Sequence, residues 1–317
     1  MKTKKIGNTM RVKMILPMLV ATAALTAQAD QCETVRFSDV GWTDITATTA
    51  IASTVLEGMG YETDTQLLSV PVTYKSIENG DIDVFLGNWM PTMEGDIKPY
   101  REAGTVETIH TNLTGAKYTL AVPKYVFDAG VKDFSDLVKF AEKFDSKIFG
   151  IEPGNDGNRL IQDMIDQNAF GLKGFEVVES SEAGMLSQVK RATKRDNWVV
   201  FLGWEPHPMN ANFELAYLSG GDDFFGPDFG GASVHTNVRK GYTEECANVG
   251  TLLTNLTFTL AAENEVMAGI LNDGKKPEAA AMDWLKANPA VLETWLEGVS
   301  TIEGKPALPA VKAHLKI

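Results

Sequence analysis

The chain has 317 residues, 44% hydrophobic and 22% charged, enough apolar material for a core of one or two domains. Its net charge of −13 repels phosphate backbones and anionic membrane surfaces, so nucleic acid is not an expected partner. The 4 histidines show no metal-ligand spacing, and no Cys-x-x-Cys, Walker-type loop or Gly-x-Ser-x-Gly elbow occurs, which argues against a metal, a cofactor or an enzyme's catalytic machinery.

The chain opens with Lys2, Lys4, Lys5, Arg11 and Lys13 and no acidic residue before Asp30. An apolar run from Met14 to Leu25 follows, then the small-x-small sequence Ala27-Gln28-Ala29. The run is short for a bilayer, which takes about 20 residues, so residues 1–29 read as a cleaved secretory signal rather than a retained anchor. Gln31 before Cys32 is too large for lipoprotein processing. The mature protein is therefore expected to be exported, soluble and periplasmic, beginning near Asp30. Without the signal it carries 24 basic residues against 42 acidic ones, a net charge of −18 that is compatible with a cationic ligand but better explained by solubility. Cys32 and Cys246 are the chain's 2 cysteines, and export makes a disulfide the expected state, so both should lie in one domain.

From Thr34 onward short β-type runs alternate with helical ones. Strands are predicted at 35–40, 63–70 and 83–87, with a helix over 44–60 and another opened by Pro71. A second copy of the pattern follows. Strands are predicted at 117–123, 147–153, 175–179 and 198–204, with helices at 136–144, 155–167 and 184–195. Residues 214–220 lead back out, and after 232–239 the chain is mostly helical to its end. This is an α/β fold of doubly wound grammar in two lobes: 30–116 with 219–317, and an inserted lobe of 117–218. Glycine-containing crossings near 113–117 and 217–221 would form the hinge.

One phrase occurs in each lobe. Residues 83–93 read DVFLGNWMPTM and residues 199–209 read VVFLGWEPHPM; each runs a strand into an indole just before a proline. Trp89 and Trp204 thus stand at strand carboxyl ends, where open α/β sheets hold ligands. Trp42 follows the first strand, and Tyr118 lies just past the hinge. Trp198 sits at a strand start, and Trp284 and Trp295 have core spacing, so these three are assigned to packing. Four rings, two from each lobe, form a box whose negative π faces attract a cation without offering acceptors. A quaternary ammonium has no N–H to donate and suits that box; a primary ammonium would need carboxylates and carbonyls at hydrogen-bond range.

The segments VGWTD at 40–44, GNWMP at 87–91, AKYTLAVP at 116–123, GIEPGNDGN at 150–158 and GWEPHPMN at 203–210 carry a family resemblance across essentially the whole mature chain. The chain resembles the substrate-binding proteins of ABC importers for quaternary amines, the glycine betaine and choline class, and among them the choline-binding members. The resemblance implies a two-lobe periplasmic binding protein, type II-like, whose box is Trp42, Trp89, Tyr118 and Trp204. Asp44 and Asn155 would serve the rest of the ligand, and the closed, monomeric protein would deliver it to a membrane ABC permease.

Betaines end in a carboxylate and choline in a hydroxyl. Asp44 would repel the first and accept a hydrogen bond from the second, which favours choline, although Asp44 at a helix opening also reads as an N-cap. Asn155 can donate or accept, and its glycine-rich turn could hold an anion at a helix N-terminus, which keeps a betaine open. His207 and Arg159 are the candidate partners for such a carboxylate. Asp156 with Glu205 could be imagined as a hydrolase pair, but both are as well explained as turn and loop residues. A choline-processing enzyme and a receptor that docks to a sensor are the rival readings; acetylcholine is a further candidate ligand.

Overall fold

The computed structural model describes Met1 and residues 32–317; apart from Met1, the expected secretory signal lies outside them. No helix among the described residues is long and apolar enough to cross a membrane.

Strand β1 (Thr34–Asp39) runs into helix α1 (Thr43–Gly58), followed by β2 (Glu62–Leu67), α2 (Val70–Asn79), β3 (Val84–Met90) and α3 (Glu94–Ala103). Strand β4 (Val106–Pro123) follows, then β5 (Lys147–Phe149), α4 (Asp156–Asp166), β6 (Glu176–Val178), α5 (Glu182–Thr193), β7 (Phe201–Glu205), β8 (Leu215–Tyr217) and β9 (Gly231–Arg239). The C-terminal part is helical: α6 (Ala247–Asn255), α7 (Leu260–Leu271), α8 (Pro277–Ala287) and α9 (Ala307–Leu315).

The strands form one sheet of order β2-β1-β3-β9-β4-β7-β5-β6, with β8 on β4. It contains two parallel triples, β2-β1-β3 and β7-β5-β6, each centred on its first strand in the chain. The antiparallel pair β9–β4 joins them. Each triple is the product of strand–helix–strand crossovers, which is why its strands run parallel and their carboxyl ends lie on one edge. Just ahead of β3, the fully buried Asp83 accepts from Arg36 and Arg239, each at 2.7 Å, fixing β1 and β9 on either side of β3. A paired buried carboxylate of this kind is costly to break from one side.

The helices α7, α8 and α9 pack on α1. Cys32 and Cys246 are joined, with Cα atoms 5.5 Å apart, tying the start of β1 to the start of α6.

Three predicted elements differ, the strand predicted at 147–153 stopping at Phe149. The strand predicted at 117–123 begins eleven residues earlier, at Val106. Residues 106–111 are rich in β-branched side chains and pair with β9, so Gly115 lies within the strand rather than in a loop. The helix predicted at 136–144 is 3-10 in type and spans Phe134–Phe144 with a kink at Phe140. Its first turn is tightened by Asp133, which accepts from the Ser135 N–H, while Asp136 accepts from the Asp133 N–H.

Candidate functional site

Trp42, Asp44, Trp89, Tyr118, Asn155 and Trp204 line one cavity, together with Ile151 and Asp156. The cavity volume is about 20 Å³. All four rings are buried.

Three of the four rings are held by a polar atom at the edge. Trp42 is the N-cap residue of α1, and its Nε1–H donates to Glu152 Oε1 at 2.7 Å. Trp89 closes β3, and its Nε1–H donates to Asp44 Oδ2 at 3.0 Å. Tyr118 on β4 is the register partner of Trp204 on β7. Their ring centroids are 6.2 Å apart at 82°, and Tyr118 meets Trp89 at 6.0 Å and 60°. These are edge-to-face arrangements, the stable geometry for aromatic neighbours. The Tyr118 hydroxyl donates to Asn155 Oδ1 at 3.0 Å. A Cβ on Gly157 would collide with that hydroxyl, so a glycine is required where α4 passes beneath the ring.

Asn155 is the N-cap of α4: its Oδ1 also accepts from the Asn158 N–H at 3.1 Å, and its Nδ2 donates to Asp156 Oδ1 at 3.0 Å. It therefore orients Tyr118 and Asp156 as much as it lines the cavity. Asp44 is not an N-cap. Helix α1 begins at Thr43, so Asp44 falls in its first turn with its side chain turned to Trp89.

Asp44 Oδ1 and Asp156 Oδ2 are buried without a partner among the described residues. Burial, with the charge of Glu182 added, pushes the Asp44 carboxyl up to about 8. Burial, with Asp96 added and the nearby Thr92 hydroxyl opposing, pushes Asp156 up to about 7. Glu152 is also raised, chiefly by burial. No lysine, arginine or histidine is among the lining residues. The cavity thus combines aromatic faces with carboxyl groups that would gain from a nearby positive charge.

His207 and Arg159 do not reach it. The buried His207 ring lies beside Glu182, and Arg159 Nη2 donates to the Thr92 carbonyl at 3.0 Å and to Asp96 at 2.8 Å. Glu205 pairs with Lys117 at 3.6 Å on the half-exposed outer edge, so Asp156 and Glu205 form no catalytic pair. Trp198 packs on Phe140 and Phe144 beneath Lys143, and Trp284 stacks on Trp295. Asp156 and Ile151 are the two lining residues that sequence reasoning missed. Their only signal was position: both flank the Pro-Gly-Asn turn that begins α4. Among the described residues no group of His, Cys, Asp and Glu side chains could hold a metal ion.

The family model described as the substrate-binding domain of ABC-type glycine betaine transport systems matches residues 33–287. The glycine betaine/carnitine transport binding protein GbuC of Listeria monocytogenes serotype 1/2a (strain 10403S) is 32% identical over 163 residues, covering 51% of this chain and 53% of GbuC. A solved ABC-transporter choline binding protein in complex with choline is 66% identical, covers 90% of this chain and 99% of its own, and superposes with a TM-score of 0.89. An ABC-transporter choline binding protein in an unliganded semi-closed conformation gives 66% identity over the same shares and a TM-score of 0.83. The architecture is the mixed α/β fold of the periplasmic binding proteins.

Proposed function

The chain belongs to the family of substrate-binding domains of ABC-type glycine betaine transport systems, a family of binding proteins rather than enzymes, and from that premise we propose that it captures choline and presents it to a membrane permease. The observation that carries this reading is the pairing of four buried rings with two unpartnered carboxylate oxygens in one cavity lined by no cationic side chain. The rings take the trimethylammonium group by cation–π attraction, each contributing on the order of 0.5–2 kcal/mol. Burying the three methyls adds roughly 0.8 kcal/mol each. The total approaches the ~8 kcal/mol of a micromolar ligand before the costs of closure.

The hydroxyl end of choline is an O–H donor, and Asp44 Oδ1 or Asp156 Oδ2 is the acceptor it meets. A betaine carboxylate would bring a third carboxyl group into the same space with no arginine or lysine to receive it. The second reading, a betaine-binding protein, is favoured by one observation: Asp44 and Asp156, with carboxyls up at about 8 and about 7, carry protons in the neutral range that they could donate to a carboxylate.

Capture works by closure. One lobe holds residues 32–116 and supplies Trp42, Asp44 and Trp89; the inserted lobe supplies Tyr118, Asn155, Asp156 and Trp204. The return crossing lies later than the expected 217–221, because Ser219 bonds to Lys132 and Phe134 and Phe225 packs on Phe134, which puts residues 219–225 with the inserted lobe. The ligand meets part of the box, the lobes rotate about β4 near 113–117 and the return crossing ahead of β9, and water is excluded. The permease then recognises the closed shape, so differential binding to one conformation becomes a docking signal. The protein acts as an exported, periplasmic monomer after loss of residues 1–29. Titration calorimetry on the mature chain tests the ligand: choline binds with micromolar affinity or better and glycine betaine more weakly. A protein that binds glycine betaine more tightly than choline overturns the reading.

A further inference from the structure

Glu182 is the first residue of α5 and lines no part of the cavity, yet it is only 4% exposed. Three donors from two distant segments converge on its carboxylate. The Thr43 N–H donates to Oε2 at 2.8 Å and the Thr43 hydroxyl to Oε1 at 2.5 Å. The third donor is His207 Nε2, 3.1 Å from Oε1. The tautomer of His207 is fixed by its other nitrogen: Nδ1 accepts from the Met209 N–H at 2.9 Å, so the ring proton sits on Nε2, facing Glu182. A neutral imidazole is sufficient for the bond.

The two segments are the two sides of the cavity. Thr43 stands between Trp42 and Asp44. His207 follows Trp204 by three residues, and their ring centroids lie 4.9 Å apart. The Thr43 N–H is the first of α1 and has no carbonyl within its helix to receive it, and the N-cap residue Trp42 supplies no side-chain acceptor. Glu182, 139 positions along the chain, caps that helix from across the cavity. A carboxylate at a helix N-terminus is also favoured by the helix dipole.

We propose that Glu182 is a positioning residue of the choline site, held by His207 within its own lobe and joined to the Trp42–Asp44 head of α1 in the other, so that the cavity opens only when the two Thr43–Glu182 hydrogen bonds break. The proposal rests on the choline-clamp reading and adds to it a residue that touches no ligand. It predicts that Glu182 governs how long the ligand stays rather than which ligand is chosen.

The test measures choline release by stopped-flow tryptophan fluorescence, and hydrogen exchange at the Thr43 amide, in the parent and in Glu182→Ala, Glu182→Gln, Thr43→Val and Thr43→Ser. Losing charge-assisted hydrogen bonds should speed release by about tenfold or more in both Glu182 variants. Thr43→Val should speed it by a smaller factor, while Thr43→Ser, which keeps the hydroxyl, stays close to the parent. The double variant Glu182→Ala/Thr43→Val should release choline no faster than Glu182→Ala alone. Glu182→Ala that melts earlier yet releases choline at the parent's rate overturns the proposal, because its role would then be structural only. If the parent binds no choline, the clamp reading fails by itself. Exchange in the ligand-free protein then decides: loss of Thr43 amide protection in Glu182→Ala supports the bridge, and unchanged protection overturns it.

Discussion

The two Trp–Pro segments end β3 and β7 alike, each with its proline in a cis peptide (Met90–Pro91 and Glu205–Pro206), yet they hold their indoles by different means. Trp89 is held through its ring N–H by Asp44. Trp204 is held by shape, edge to face with Tyr118 and His207, while its carbonyl accepts from Asn210 Nδ2 at 2.8 Å. The first copy therefore couples its ring to the charge of the cavity, and the second couples its ring to packing. One phrase, written twice, gives two rings that should answer differently to substitution and to pH.

The largest effect should come from the ring held by shape. Trp204→Ala removes a buried π face and its apolar area, and choline affinity should fall by about 100-fold or more while the fold survives. Calorimetry that finds it within twofold of the parent excludes Trp204 from the site. Next is the carboxyl. Asp44→Asn should weaken choline by roughly tenfold and glycine betaine by less, because only choline donates a hydroxyl proton; the reverse order contradicts the hydroxyl assignment.

The pH dependence follows from the same groups. Asp44 and Asp156 are pushed up to about 8 and about 7, above the ordinary carboxylate range, so in the empty cavity at neutral pH Asp44 is mostly protonated and Asp156 is divided between its two forms. A bound cation favours the ionised form, so binding releases protons, and choline affinity should rise severalfold between pH 6 and pH 9. For stability the sign is opposite. The folded-state values exceed the unfolded ones, so these groups' contribution is complete below about 4 and is lost as pH rises through 7 and 8. The melting temperature of the ligand-free protein should fall across that window, and choline should restore more of it at the alkaline end. A flat affinity profile refutes the coupling.

The smallest effect separates the two copies most sharply. Trp89→Phe keeps a ring but removes the N–H whose bond lowers the Asp44 value. It should cost only a few-fold in affinity, yet move the midpoint of the pH profile upward. Trp204→Phe should leave that midpoint in place. Equal midpoints in the two variants erase the distinction.

Much of this was readable from the chain because its signals are local. Strand-to-indole phrases, a helix opened by Pro71 and the alternation of elements each occupy a few neighbouring residues. The four rings named from those signals, with the Asp44 and Asn155 that the family resemblance implied, meet at a single cavity. What escaped depends on partners far apart in sequence. Asp156 looks like any turn aspartate until α4 buries it under Tyr118, and Ser-Ser-Glu at 180–182 looks like an ordinary cap until Thr43 and His207 arrive. His207 and Arg159 looked free to receive a carboxylate because nothing nearby in the sequence announces Glu182 or Asp96 as their partners. The length of β4 was hidden likewise, since its first half becomes a strand by pairing with β9, more than a hundred residues later.

The central claim is that aromatic faces, rather than hydrogen-bond acceptors, hold the cation. Calorimetric titration with ethanolamine and its mono-, di- and trimethylated forms, at one pH and ionic strength, tests it most directly. Affinity should climb with each methyl and be greatest for choline. Ethanolamine binding as tightly as choline, or more tightly, would contradict the account.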